Sequence, residues 1–228
     1  MRPEPKQVKR SYDATRRAEA AARTRQSILE AARTLFAENG YSATSMAAIA
    51  QAAGVALDTV YASAGRKPAL VRLLVETAIS GTSQAVPAEQ RDYVVAIRAA
   101  PDAATKIKLY AAAMRQISAR LAPLLGLLQQ GAQNEPGLAT LWSEISERRA
   151  ANMRLFAADL AAATPLRVDV DRAADIVWAT NSPELYLLLV GQRGWTASAY
   201  EQFLVDAWTR LLLDDAGRQA ANGLDHVS

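Results

Sequence analysis

Residues 44–70 read TSMAAIAQAAGVALDTVYASAGRKPAL, and the spacing inside this stretch decides the fold. Thr44 is placed to cap a short helix over residues 45–52 that turns Met46, Ile49 and Ala50 inward. Gly54 breaks that helix, a second short one is expected from Leu57 to Ser63, and Gly65 ends it. A longer helix then runs from Lys67 or Pro68 to Ser80, with Pro68 suited to a first helical turn. Counted from Met46, the residues Ala50, Gly54 and Val60 stand at positions 5, 9 and 15. Ala50 is small where two helices cross, Gly54 can take positive φ in a tight turn, and Val60 packs the second helix on the first. This is helix-turn-helix spacing. It holds a rigid second helix whose outer side can enter a major groove while the first lies across the backbone.

Upstream, nothing breaks a helix from Thr15 to Asn39, and its second half carries a stripe of Ile28, Ala32, Leu35 and Phe36 before Gly40 stops it. Residues 1–14 hold two prolines and no apolar periodicity, so a disordered basic arm is expected there. Lys6, Lys9 and Arg10 of the arm, with Arg16 and Arg17, suit phosphate or minor-groove contacts, or simply a solubilising tail. The charge is asymmetric. Residues 1–70 hold 11 Lys/Arg against 6 Asp/Glu, which is +5, while residues 71–228 hold 15 against 17, which is −2. A basic module facing a polyanion, joined to a near-neutral module with another task, fits that division.

With the preceding ILEAARTLFAENGY of residues 28–41, the stretch 44–70 resembles the DNA-binding core of the TetR family of transcriptional regulators over about residues 23–76. The resemblance implies that Thr44 and Ser45 contact phosphate at a helix N-terminus, that Thr59 and Tyr61 touch phosphate or base from the recognition helix, and that Lys67 contacts the backbone. Leu57 and Asp58, which open that helix, belong to the same expected surface. The sequence also departs from the family: Ala56 stands where a Ser usually caps the recognition helix, Ala64 where an aromatic is usual, and Arg66-Lys67 where Ser-Lys is usual. Asp58 replaces a small residue. A carboxylate there stabilises a helix N-terminus or accepts from cytosine N4, but it repels phosphate.

Downstream of Gly81 helices are expected near 87–99, 102–120, 122–133, 137–163, 170–192 and 196–213, with breaks at Pro101, Pro123, 134–137, Pro165 and Gly194. None shows strand alternation. The fold class expected is therefore all-α, with a helix-turn-helix domain at 15–66 and a helical ligand-binding and dimerisation domain at 67–228, the latter task implied by the resemblance. The stripe Ile107, Tyr110, Met114, Ile117 and Leu121 is expected to be mostly core, although a pocket wall is lined by the same residue types. Asn152 near Arg149, and Asn181 near Trp178 and Pro183, are polar interruptions of the kind that orient a ligand, so Tyr110, Met114, Asn152, Trp178 and Asn181 are the pocket candidates. A cap on a backbone group freed at Pro183 accounts for Asn181 at least as well. Leu185 and Leu189, with Tyr200, Phe203, Leu204, Trp208 and Leu211, carry more apolar surface than an outer helix needs, and a homodimer interface is expected there.

Composition removes the competitors. The chain has 228 residues, half of them hydrophobic, no cysteine and one histidine, His226. Disulfides, thiol nucleophiles, cysteine-based metal sites and histidine catalysis are excluded, so neither an enzyme nor a cofactor is expected. No stretch reaches the roughly 20 apolar residues of a membrane span, and a cytoplasmic protein is expected. The function expected is a ligand-responsive, DNA-binding transcriptional regulator, a repressor released from a palindromic operator by a small, mostly apolar effector. The alternative is a regulator-like module that binds ligand or protein without an operator.

Overall fold

The computed structural model describes residues 6–217 apart from Ser83 and Ala216. His226 and residues 1–5 of the expected arm lie outside the described residues. Among the described residues ten α-helices follow one another: α1 (Lys6–Ala43), α2 (Met46–Ala53), α3 (Leu57–Ala64), α4 (Lys67–Ser80), α5 (Asp92–Ala99), α6 (Ala103–Ala132), α7 (Pro136–Ala163), α8 (Val170–Thr180), α9 (Pro183–Tyr186) and α10 (Ala197–Leu212). Among the described residues there is no strand, only a single antiparallel bridge between Leu166 and Leu213. The all-α expectation holds. No described helix is long and apolar enough to cross a membrane.

Packing divides the chain into two units, one running through Thr77 with Thr82–Ala85, the other comprising Ala78–Gly81 and the chain from Val86 on. In the first unit α1 begins at Lys6, so residues 6–14 of the expected arm are helical. Gly40, at φ 77, stops the main run of α1, and its positive φ suits a residue without a Cβ. The stripe of α1 does what its spacing predicts: Ile28, Ala32 and Phe36 are buried with Ile49, Ala50, Val60, Leu70 and Leu74.

The second unit is arranged around α6, which packs on α5, α7, α9 and α10, while α8 packs on α7 and α10. Two helices expected over 102–133 are one. Pro123 lies inside α6 on its exposed side, and the roughly 3 kcal/mol that an interior proline costs is offset by Leu121, Leu124, Leu125 and Leu128, all buried on the opposite side. The single helix expected over 170–192 is instead broken. Ser182, extended at ψ 143 ahead of Pro183, ends α8 and caps α9 by accepting from the Leu185 N–H at 3.1 Å. Beyond α9 the chain widens into a π-helix over Leu187–Gln192. The segment expected as 87–99 also divides, because Arg91 is extended and its buried side chain donates from Nε to the Val86 carbonyl at 3.0 Å.

Candidate nucleic-acid interface and ligand cavity

The helix-turn-helix is fixed by a short list of contacts. Gly54 takes the left-handed conformation, φ 68 and ψ 32, and its N–H meets the carbonyls of Ala50 and Gln51. The Val55 N–H also donates to the Ala50 carbonyl, at 3.0 Å, which reverses the chain within one residue. The Ser27 hydroxyl of α1 donates to the Ala53 carbonyl at 3.0 Å and holds the end of α2. Ala50 and Val60 are buried at the crossing. The orientation of α3 thus follows from the residues at positions 5, 9 and 15 of the motif.

The hydroxyls at the start of α2 exchange the roles expected of them. Ser45 is the cap, accepting from the Ala48 N–H at 3.0 Å, and is exposed. Thr44 is 2% exposed, and its hydroxyl donates to the Gly40 carbonyl at 2.8 Å and the Leu35 carbonyl at 3.0 Å. Thr44 is therefore neither the cap nor an available phosphate ligand; it locks the end of α1 onto the start of α2.

α3 buries Val60 and Ala64 and turns the other side out. Leu57 is 39% and Tyr61 44% exposed, unusual for residues of this size, and Asp58 is exposed beside them. Thr59 is half-buried. Ala56 gives α3 no side-chain cap, and Asp58 is the only acid in its first turn, where it complements the helix dipole. Lys67, half-buried at the start of α4, sits with its Nζ 4.1 Å from the centre of the Tyr41 ring. Ser45, Leu57, Asp58 and Tyr61 are thus the expected residues that stand open to a partner, and Thr59 and Lys67 border them.

The second unit encloses a cavity of about 650 Å³. Four of the five expected pocket residues, Tyr110, Met114, Asn152 and Asn181, line it. Trp178 does not: its ring lies outside, under the Arg149 guanidinium at 4.7 Å. Tyr110 is wedged among aromatics, with ring centres 4.6 Å from Phe156 and 5.4 Å from Trp208. Burial pushes its hydroxyl far above the usual tyrosine range. The Asn181 side chain does not cap the break at Pro183. Its amide donates to Tyr110 and Met153 and its carbonyl accepts from Arg149, while the backbone N–H closes α8 on the Val177 carbonyl.

Sequence reasoning missed Arg149, Met153 and Asp159 as cavity residues. It also missed Lys106, buried on α6, whose Nζ meets Asp159 at 2.8 Å and the Ile97 carbonyl at 2.8 Å. A signal existed for that lysine: Ala103, Lys106, Tyr110 and Met114 recur at helical spacing on one buried face.

The expected interface residues separate into two groups. Tyr200, Leu204 and Trp208 are fully buried within their own chain, with Trp208 Nε1 donating to Thr180 Oγ1 at 2.7 Å and its ring against Tyr110 and Phe156. They are core, not surface, because the unbroken stripe 200, 204, 208 and 212 of α10 faces α6 and α8. Burial also pushes the Tyr200 hydroxyl up to about 12. Leu185, Leu189 and Phe203 are half-buried and Leu211 is 47% exposed. Phe203 meets Trp195 edge to face at 5.9 Å beside a shallow groove along α10.

Residues 28–74 match the model of the bacterial regulatory proteins of the tetR family. No curated protein matches the chain in sequence. Among solved structures, a protein from Mesorhizobium loti assigned to the TetR-family transcriptional regulators is similar at TM-score 0.60 and 22% identity, over 85% of this chain and 98% of that one. SmeT in complex with triclosan is similar at TM-score 0.61 and 19% identity, over 85% and 93%. The flavonoid-responsive regulator FrrA is similar at TM-score 0.52 and 26% identity, over 82% and 94%. Residues 28–74 thus match the tetR family model over the helix-turn-helix, and the chain shares its fold with these solved regulators.

Proposed function

We propose that this chain is a cytoplasmic, homodimeric repressor that holds an approximately palindromic operator through Ser45, the exposed side of α3 and Lys67, and releases it when a small, mostly apolar effector occupies the cavity. The observation that carries the reading is the open surface of Leu57, Asp58 and Tyr61 on a helix whose orientation is fixed by the Gly54 turn. Tyr61 donates to phosphate, Ser45 adds a helix N-terminus, and Lys67 supplies charge, while Asp58 is spent on the α3 dipole. Triclosan bound to one neighbour and the flavonoid response of another support an apolar organic effector.

Two half-sites one DNA turn apart, about 34 Å, require two copies of the recognition helix. The exposed Leu188, Trp195 and Leu211 supply the remaining apolar surface for pairing. Helix α4 belongs to both units, and within the second its end is held by Arg120, whose Nε donates to the Ala78 carbonyl at 2.7 Å. An effector that prefers one setting of that helix shifts the population of DNA-competent dimers; one with equal affinity for both shifts nothing.

Selection from a random duplex library, repeated in rising salt, tests the reading. An enriched palindrome whose affinity falls steeply with salt is expected. The second reading, a ligand or protein module without an operator, draws on the missing side-chain cap at Ala56, and recovery of no enriched motif would favour it.

A further inference from the structure

One end of the cavity carries more hydrogen-bond donors than good acceptors. Asn181 is 4% exposed, and its Nδ2 donates to the Tyr110 hydroxyl at 3.2 Å and to Met153 Sδ at 3.0 Å. The Tyr110 hydroxyl donates to the same sulfur, at 3.2 Å. A thioether is a weak acceptor, so two buried donors converge on a poor partner where an oxygen would serve both. The one strong acceptor of the cluster, Asn181 Oδ1, is already taken by Arg149 Nη2 at 3.1 Å.

Arg149 adds a charge to that end. Its Nη2 is shared between Asn181 Oδ1 and the Trp178 carbonyl, both neutral. Burial holds its pKa below the ordinary arginine value, a sign that the cation is poorly solvated. Among the described residues no carboxylate is ion-paired with it. Glu184 favours the charge through space; its Oε1 accepts from Gln129 Nε2 at 2.5 Å, while its buried Oε2 has no hydrogen-bond partner and makes no ion pair with Arg149. Of the two acids on the cavity walls, Glu89 and Asp159, the second is tied to Lys106. Away from this end the walls are apolar, with Met114, Ile117, Leu125 and Phe156.

We propose that the effector is an amphipathic organic acid. Its carboxylate sits at the Arg149, Asn181 and Tyr110 end, replaces Met153 Sδ as the acceptor for the two buried donors, and compensates the guanidinium; its hydrocarbon body fills the apolar length. The proposal rests on the effector reading above and sharpens it from a mostly apolar compound to one with an anionic head. A bidentate arginine contact to carboxylate is among the stronger polar contacts available to a small ligand.

Calorimetry on the full chain with decanoate, decan-1-ol and decylamine, at neutral pH and below micelle-forming concentrations, compares three heads on one hydrocarbon. Decanoate is expected to bind at least about tenfold more tightly than decan-1-ol, with decylamine weakest. Arg149→Met, which keeps the aliphatic stem, should bring decanoate to the level of decan-1-ol. Tyr110→Phe should lower the preference for decanoate over decan-1-ol severalfold. Equal binding of decanoate and decan-1-ol to the unaltered protein, which needs no variant to fold, overturns the proposal, as does a preference that survives Arg149→Met in a folded variant. Binding of none of the three overturns the effector reading itself, and the proposal with it.

Discussion

The first unit spends its apolar residues on closing a small core around one turn, whereas the second spends them partly on walls around an open cavity. In the first, each residue of the motif has one geometric task, and Ala50, Gly54 and Val60 can be exchanged for little else. In the second, Met114 and Ile117 are buried to the same degree as core residues although empty space lies on one side of them. Low exposure therefore means rigidity in one unit and capacity for a guest in the other. Substitutions that separate these meanings should differ in size and in what they disturb.

The largest effect is expected in the second unit, at the point where cavity wall and core meet. Trp208→Ala removes a fully buried ring stacked on Tyr110 and hydrogen-bonded to Thr180, and should lower stability by about 3–5 kcal/mol, read by denaturant unfolding. A side chain belonging to an intersubunit surface would instead change oligomeric mass with little loss in the folded monomer. Next in size is Gly54→Ala in the first unit. Nothing stands within 4 Å of a Cβ there, so the cost comes from φ 68 alone, about 1–2 kcal/mol. A variant as stable as the parent would mean that the turn relaxes at no cost.

These residues also show where sequence reading succeeds and stops. The bounds of α2, α3 and α4 were legible to within a residue because Gly54 and Gly65 can take the positive φ that stops a helix and Pro68 suits only a first helical turn. Thr44 and Ser45 were not separable, since either hydroxyl can cap and only the Leu35 and Gly40 carbonyls, brought in by the kink of α1, assign Thr44 inward. Pro123 reads as a break because propensity is local, while the buried leucines that keep α6 continuous gain their energy from other helices. On α10 the stripe of Tyr200, Leu204, Trp208 and Leu212 was visible at a spacing of four, but hydrophobic periodicity cannot say whether its partner is the same chain or another copy. Arg149 drew attention as an interruption, yet its partners come from α8, 29 and 32 residues away.

A smaller effect, and one confined to DNA, is expected from Tyr61→Ala. Its ring is exposed, so folding should change little, while loss of one hydroxyl contact should weaken operator binding by about 1 kcal/mol. If Tyr61 holds phosphate, the loss will be uniform across operator variants and the salt dependence nearly unchanged, because no cation has been removed. Loss confined to a single base position would assign it to base readout instead. Unfolding and binding curves on the same preparation keep the two effects apart.

The smallest change in chain stability should come from Leu188→Glu combined with Leu211→Glu, where both side chains are about half exposed, 48% and 47%. Surface substitutions of this kind stay within about 0.5 kcal/mol when no interface is involved. Their consequence is expected in mass, since two buried carboxylates facing two more across a symmetric contact would be left without partners. Sedimentation at micromolar concentration should give a dimer for the parent and a monomer of preserved helicity for the double variant. Operator affinity should fall with the dimer, because one recognition helix reads only half a palindrome. A double variant that stays dimeric would move the contact to other residues and leave Leu188 and Leu211 as ordinary surface. A parent that is monomeric would remove the symmetric reading altogether, and with it the requirement for a palindromic site.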